Sequence, residues 1–157
     1  MHWADYTAQR LMERGGKQVS ASGITPSGEF HIGHLREILS AEMIHRACLD
    51  AGMSSKYIFI VDSMDPLRRV YDFLSPEYEE FIGCPLAYIP APEEDGSPGD
   101  GSVTYANHFL SPFLEALEQI GVRPEVVMNH ETYEKGLFAE YIDLSLIHIS
   151  EPTRLSW

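Results

Sequence analysis

The chain has 157 residues, of which 44% are hydrophobic and 22% charged, and its net charge is −13. These values are typical of one globular domain, and no apolar run is long enough to span a bilayer. The negative charge argues against a nucleic-acid clamp, because an acidic surface repels the phosphate backbone. The N-terminus has no signal-peptide pattern, so we expect a cytoplasmic protein with Cys48 and Cys84 reduced and Cys48 buried.

The first half of the chain predicts two helices and two strands in alternation. An amphipathic pattern predicts a helix over residues 3–14, and a β-prone stretch predicts a strand over residues 17–24. Apolar positions at spacings of three and four predict a long helix over about residues 32–51, ended by Gly52. KYIFIV, at residues 56–61, predicts a strand buried on both faces of a parallel sheet. Strand, helix and strand together form a βαβ unit, whose crossover is right-handed.

The second half of the chain is less regular. Residues 85–102 carry several proline, glycine and acidic residues and are expected to be mainly loop. Periodic apolar positions then predict a helix over residues 107–120, followed by a short strand over residues 125–128 and a helix over residues 132–142. No internal repeat interrupts this order, which predicts the α/β fold class.

The chemistry is carried by residues 21–34, ASGITPSGEFHIGH, where a strand, a turn-rich loop and a helix start follow one another. A helix N-terminus is expected to offer unpaired N–H groups and a positive dipole end to a phosphate. Gly33 lets a nucleotide approach the backbone closely. His31 and His34 lie on one helical face, where both can donate hydrogen bonds to phosphate oxygens. This context predicts a nucleotide site, whereas HxGH alone would also describe two surface histidines.

Two acids follow the second strand, at the edge where open α/β sheets place their ligands. A carboxylate of Asp62 or Asp65 would pair there with a substrate ammonium group or orient Arg68. The alternative is that both acids only cap the following turn. The residues themselves leave both interpretations open.

The segment around His31 resembles the HIGH signature of class I aminoacyl-tRNA synthetases. The matching positions are Pro26, Gly28, His31, Gly33 and His34. Four further stretches resemble the class I lysyl-tRNA synthetases in particular. They are HWAD at residues 2–5, SGITPSG at 22–28, DSMDPLRR at 62–69 and YANHF at 105–109. The resemblance covers residues 2–143, and these stretches are more specific to the lysine enzyme than HIGH is.

This resemblance implies the N-terminal half of a Rossmann-type parallel-sheet catalytic domain, truncated before its second half. The family activates lysine with ATP and Mg²⁺ and transfers it to tRNA(Lys). The resemblance implies that Gly23 and Thr25 contact lysine, largely through the backbone, although Thr25 is also a plausible start for the turn before Pro26. It implies catalytic roles for His31 and His34. The residues implied to bind ATP are Pro26, Ser27, Gly28, His31, Gly33 and His34.

No zinc site is expected. Some members of the family bind zinc through an aspartate, a Cys-His pair and a histidine that matches His108. In this chain Ala91 stands at the aspartate position, and residues 93–102 contain no cysteine or histidine. One ligand does not make a tetrahedral site, so His108 is expected to be only a helix-start residue.

The chain divides into three parts in this interpretation. Residues 1–82 would form the first half of the Rossmann-type domain, and residues 83–143 would begin an inserted connective region. Residues 144–157 are expected to be non-native, because LSLIHISEPTR at 144–154 matches the translation of a common transposase-based sequencing adapter. With no KMSKS-like loop in its sequence, the chain alone is expected to be inactive, and contact with tRNA would come mostly from regions outside it.

Three alternatives remain: another class I synthetase, a small HxGH nucleotidyltransferase, and a non-catalytic nucleotide-binding fragment. The nucleotidyltransferases usually carry GxFDxxHxGH early and an ISSTxxR-like segment late. Neither is present here, and residues 24–28 replace the first. An open reading frame that continues past residue 143 into a KMSKS-like loop would separate a class I synthetase from the last two alternatives.

Overall fold

A computed structural model describes residues 1–150 of the chain, with side chains described through residue 147. The α/β class and the order of the predicted elements are confirmed. The helices are α1 (Trp3–Arg14), α2 (Ile32–Asp50), α3 (Tyr105–Gln119), α4 (Asn129–Glu134) and α5 (Ala139–Ser150). The strands are β1 (Gln18–Ile24), β2 (Ser55–Val61) and β3 (Glu125–Met128). None of the helices in residues 1–150 is long and apolar enough to cross a membrane.

The three strands form a parallel sheet in the order β1-β2-β3. Ile24 pairs with Val61, and Val61 pairs with Met128, so the carboxyl ends of all three strands meet at one edge of the sheet. The backbone amide of Asp62 donates to the carbonyl of Ile24 at 3.0 Å and extends this register by one residue. We call this side the carboxyl edge; it is where ligands bind in open α/β sheets.

The main core lies on one face of the sheet. Tyr57, Phe59 and Val61 alternate along β2 and are buried against a cluster that includes side chains from α2 and α3. Ile58 and Ile60 point to the opposite face and are only half-buried. The prediction that KYIFIV is buried on both faces is therefore wrong for the described structure, because α2 and α3 both contribute to the core on the same side.

A second core forms in a part of the chain that includes residues 85–102, which the sequence predicted to be mainly loop. We call residues 66–104 the connecting segment; apart from a 3₁₀ helix, Pro76–Phe81, which the sequence did not predict, it has little regular structure. Its apolar side chains nevertheless pack together with the first turn of α3. The buried members are Leu67, Leu74, Tyr78, Leu86, Ile89, Tyr105 and Ala106. The cluster takes residues from both sides of residue 82, where we expected the connective region to begin.

Two predicted helix boundaries differ from the structure. The single helix expected over residues 132–142 is two helices, α4 and α5, separated at Gly136, whose φ of 68° suits glycine. α3 begins earlier than predicted because the Thr104 hydroxyl accepts a hydrogen bond from the amide of Asn107 at 3.3 Å and caps the helix.

Candidate active site at the carboxyl edge

The loop at residues 25–30 follows β1 at the carboxyl edge and is anchored by buried contacts with the rest of the fold. Pro26 is fully buried. The hydroxyl of Tyr105 donates to the carbonyl of Ser27 at 2.8 Å, and the amide of Ser27 donates to the carbonyl of Thr25 at 2.9 Å. These contacts hold the loop in its shape, and the second core supports it through Tyr105.

The two histidines of the HIGH motif cap the start of α2. His31 is the N-cap residue, and its Nδ1 accepts a hydrogen bond from the amide of Gly33 at 3.1 Å. Nδ1 of His34 accepts from the amide of His31, also at 3.1 Å, and the two rings stack with centroids 3.9 Å apart. The expectation of unpaired N–H groups at this helix end is therefore wrong for these two amides. The Nδ1 atoms of the neighbouring histidines accept hydrogen bonds from these amides, as capping side chains do at other helix starts.

This capping fixes which ring nitrogens can meet a phosphate. A nitrogen that accepts a hydrogen bond carries no proton, so in the neutral rings the proton lies on Nε2. Burial lowers the pKa of His34 below its ordinary value of 6.5; the charge of His31 lowers it further, and the Glu37 carboxylate partly opposes this. In a neutral ring, each histidine therefore keeps an Nε2–H donor while its Nδ1 holds the helix start.

Gly33 is required by the cap itself. A Cβ at this position would lie 2.8 Å from Cε1 and 2.9 Å from Nδ1 of His31, which is too close for the ring to stay in place. A Cβ at Gly28, in contrast, would lie 3.8 Å from the ring of Phe73, which is an ordinary van der Waals contact. Gly33 thus has a steric role that the sequence interpretation, based only on ligand approach, missed.

Asp65 is tied to its own surroundings. The hydroxyl of Thr25 donates to its Oδ2 at 2.6 Å, and an Nη2 of Arg68 lies 3.5 Å from the same oxygen. The expected pairing of an acid with Arg68 is therefore present, although Arg68 is largely exposed, so the ion pair contributes little stability. Thr25 therefore does more than start the turn before Pro26, because its hydroxyl holds the Asp65 carboxylate.

Asp62 has different neighbours. Nδ2 of Asn129, the first residue of α4, donates to its Oδ1 at 2.8 Å. Burial raises the pKa of Asp62, and the nearby charges of Asp65 and Glu37 raise it further. Glu37 also reaches this edge, where its Oε1 accepts from the amide of Gly23 at 3.2 Å. The four residues Gly23, Glu37, Asp62 and Asn129 are thus brought together.

Sequence reasoning missed Glu37 and Asn129. Asn129 had a usable signal, since it directly follows a strand, as Asp62 does. Glu37 lies three residues after His34 and so shares its helical face, which is the spacing that was used for the histidines.

The family can now be assigned. A model described as tRNA synthetases class I (K) matches residues 1–153. The chain belongs to this family. The match favours a class I synthetase over the small HxGH nucleotidyltransferase. It also extends into residues 144–157, the segment that we expect to be non-native.

Individual relatives agree with the family match. The chain is 43% identical over 155 residues to lysine–tRNA ligase 1 of Methanosarcina acetivorans, covering 99% of the chain and 28% of the relative. It is 44% identical over 148 residues to the lysine–tRNA ligase of Methanocaldococcus jannaschii, covering 93% of the chain and 27% of the relative. It is 43% identical over 155 residues to the lysine–tRNA ligase of Archaeoglobus fulgidus, covering 99% of the chain and 30% of the relative. The chain therefore spans less than a third of the length of these relatives.

Two cavities of this class I synthetase chain lie beside the predicted ATP residues rather than among them. Their volumes are about 730 and 360 Å³, and Glu29, His108 and Phe109 line both. None of the six residues implied to bind ATP lines either cavity. His108 is exposed and packs edge-on against Phe109. Among residues 1–147, no group of three His, Cys, Asp or Glu side chains is placed to hold a metal ion.

Proposed function

We propose that the full-length protein containing this chain is a class I lysine–tRNA ligase. It would activate lysine with ATP to form lysyl-adenylate and then transfer the lysyl group to tRNA(Lys). The observation that carries the proposal is the grouping at the carboxyl edge, where the HIGH histidines and the acids Asp62 and Asp65 flank the end of β1. The names of the relatives support the same activity.

The ATP site would be formed by the loop and the start of α2. Pro26, Ser27 and Gly28 give the loop its shape, and Gly33 permits the cap. The Nε2–H groups of His31 and His34 would donate to phosphate oxygens. In activation, a carboxylate oxygen of lysine forms a bond to the α-phosphorus, and pyrophosphate leaves with the electron pair of the broken P–O bond. Fixed donors stabilise the charge that develops on the phosphoryl oxygens.

The lysine site would lie at Gly23 and Thr25. The Gly23 backbone faces the carboxylates of Asp62 and Glu37, and the Thr25 hydroxyl fixes Asp65. An amino acid with two ammonium groups suits an edge with three carboxylates, since opposite charges within a few ångströms favour one another. The adenylate would then pass its lysyl group to a ribose hydroxyl of tRNA, with AMP as the leaving group.

Mg²⁺ would arrive with ATP. It is usually held by substrate phosphates and one or two carboxylates rather than by a protein cage. Asp62 or Asp65 fits that limited role, and the ion would neutralise phosphate charge. We propose no zinc site and assign His108 no role in catalysis or substrate binding.

The remaining assignments follow the same proposal. Contact with tRNA would come mostly from parts of the protein outside this chain, because its net charge of −13 opposes a phosphate backbone. Residues 1–82 belong to the catalytic domain and residues 144–157 are not native. Residues 83–143, expected to begin the connective region, also supply β3 to the sheet and α3 to its core, so the whole of that range cannot be an insertion. The protein acts in the cytoplasm, and this chain alone is inactive.

Pyrophosphate exchange by the full-length protein tests the proposal, with each amino acid supplied in turn. Lysine should stimulate the exchange of labelled pyrophosphate into ATP. The 157-residue chain is the matched control and should give no exchange. Stimulation by glutamate or arginine but not by lysine would overturn the lysine assignment.

A further inference from the structure

Asn129 reaches the carboxyl edge from α4. It directly follows β3, which lies beside β2 in the parallel sheet, so its side chain comes next to the residue that follows β2. Its Nδ2 donates to Oδ1 of Asp62 at 2.8 Å, and both residues are half-buried. The backbone amide of Asp62 is also bonded to the carbonyl of Ile24. Asn129 therefore holds the carboxylate of Asp62, while β1 holds its backbone.

This fixing leaves the second oxygen directed at the end of β1. Oδ2 of Asp62 lies 3.6 Å from the point where a Cβ on Gly23 would be. No donor in residues 1–147 is hydrogen-bonded to Oδ2, and no Lys, Arg or His side chain in that range forms an ion pair with Asp62. Asp65, in contrast, already has Thr25 and Arg68 on its Oδ2.

The charges around Asp62 suit a cation. The acids Glu37 and Asp65 both raise its pKa, in addition to the effect of burial. An ammonium group beside this carboxylate would act in the opposite direction, because it favours the ionised form. Gly23 leaves space for such a group, since its missing side chain would otherwise occupy the position next to Oδ2.

We propose that Asn129 is a positioning residue for the amino-acid substrate: it holds the Asp62 carboxylate so that Oδ2 accepts a hydrogen bond from an ammonium group of lysine beside Gly23. The inference rests on the proposed function. Asn129 itself touches no reacting atom and acts through Asp62.

The test uses pyrophosphate exchange by the full-length protein. Asn129→Ala should raise the KM for lysine about tenfold or more, because a hydrogen bond to a charged group is lost, and should leave the KM for ATP within about twofold. His130→Ala is the matched control. His130 bonds to Ser63 through Nδ1 at 2.8 Å, at the same junction of β2 and α4, without touching Asp62. It should not raise the KM for lysine selectively.

A charge swap separates positioning from a purely structural role. Asp62→Asn with Asn129→Asp restores an amide–carboxylate hydrogen bond across the junction but moves the charge away from Gly23. We expect the swap to recover the thermal midpoint while the KM for lysine stays high. Recovery of both would overturn the proposal. If Asn129→Ala does not fold, Asp62→Asn alone, which is isosteric, must raise the KM for lysine; an unchanged value would also overturn it.

Two lysine analogues identify the ammonium group involved. 6-Aminohexanoate lacks the α-ammonium group, and norleucine lacks the ε-ammonium group. Weaker inhibition of Asn129→Ala by 6-aminohexanoate alone would assign the contact to the ε-ammonium, and weaker inhibition by norleucine alone to the α-ammonium. Unchanged inhibition by both would contradict the proposal. Absence of lysine-dependent exchange in the unsubstituted protein would instead refute the proposed function itself.

Discussion

The carboxyl edge and the connecting segment are both built mostly from irregular backbone, but they are held in different ways. At the edge, side chains such as His31 and Thr25 form hydrogen bonds to nearby backbone or carboxylate groups and remain partly exposed. In the connecting segment, side chains such as Tyr78 and Ile89 are fully buried in an apolar cluster. The first arrangement leaves polar groups accessible at the surface, whereas the second stabilises the fold by apolar packing.

Tyr105 joins the two regions. Its ring belongs to the apolar cluster, and its hydroxyl bonds the carbonyl of Ser27 in the loop. Substitutions in the connecting segment should therefore reduce mainly stability, and substitutions at the edge should reduce mainly catalysis.

The largest effect is expected from Tyr105→Ala. Removing a fully buried aromatic ring costs about 3–5 kcal/mol, so the 157-residue chain should lose any cooperative unfolding transition in urea followed by circular dichroism. Tyr105→Phe keeps the ring and removes only the hydroxyl, which should cost about 1 kcal/mol. Equal losses in the two variants would show that the hydrogen bond to Ser27, rather than packing, links the two regions.

His34→Ala should have the next largest effect, and on catalysis. In the full-length protein we expect kcat/KM for pyrophosphate exchange to fall about 100-fold or more, by analogy with removal of an oxyanion donor. Binding of ATP in the ground state, measured by calorimetry, should weaken less, since the donor acts mainly in the transition state. Exchange kinetics close to those of the unsubstituted protein would refute the role.

The pH dependence gives a smaller and more specific effect. Since the folded-state pKa of His34 lies below 6.5, its neutral form stabilises the fold above that value, and this contribution is lost as pH falls through the window below it. Protonation of Nδ1 also breaks the bond from the amide of His31. We expect kcat/KM for ATP to fall on the acid side with a midpoint below 6.5. Glu37→Gln, which removes an opposing carboxylate, should move that midpoint to lower pH, and a shift upward would contradict the assignment.

The smallest effect is expected from deletion of residues 144–157. Residues 139–147 of α5 are all exposed, and the tail that we propose to be non-native would not have been selected to pack on this fold. The free energy of unfolding, measured by urea denaturation, should therefore change by less than about 0.5 kcal/mol, the range of most exposed substitutions. A cooperative transition that disappears on deletion would mean that the tail is part of the fold and would contradict the adapter interpretation.

The fold was predictable where it depends on short-range patterns. The bounds of α1 and β3 match the expected ranges, and α2 begins at Ile32 as expected. Prediction failed where neighbours distant in sequence decide the result. Nothing local indicates that residues 66–104 form a core, because its members come from positions up to about 40 residues apart and join only when the chain folds back on α3.

Within the candidate site, the sequence by itself determined where the loop, the two histidines and the acids lie along the chain. These features depend on residues within a few positions of one another, as the caps of His31 and His34 do. Only the tertiary structure decided how the two acids differ. Asp65 meets Thr25 from 40 residues away, while Asp62 meets Asn129 from 67 residues away across the sheet. Such pairs exist because parallel strands bring their carboxyl ends to one edge, and residue order alone does not state which side chains then touch.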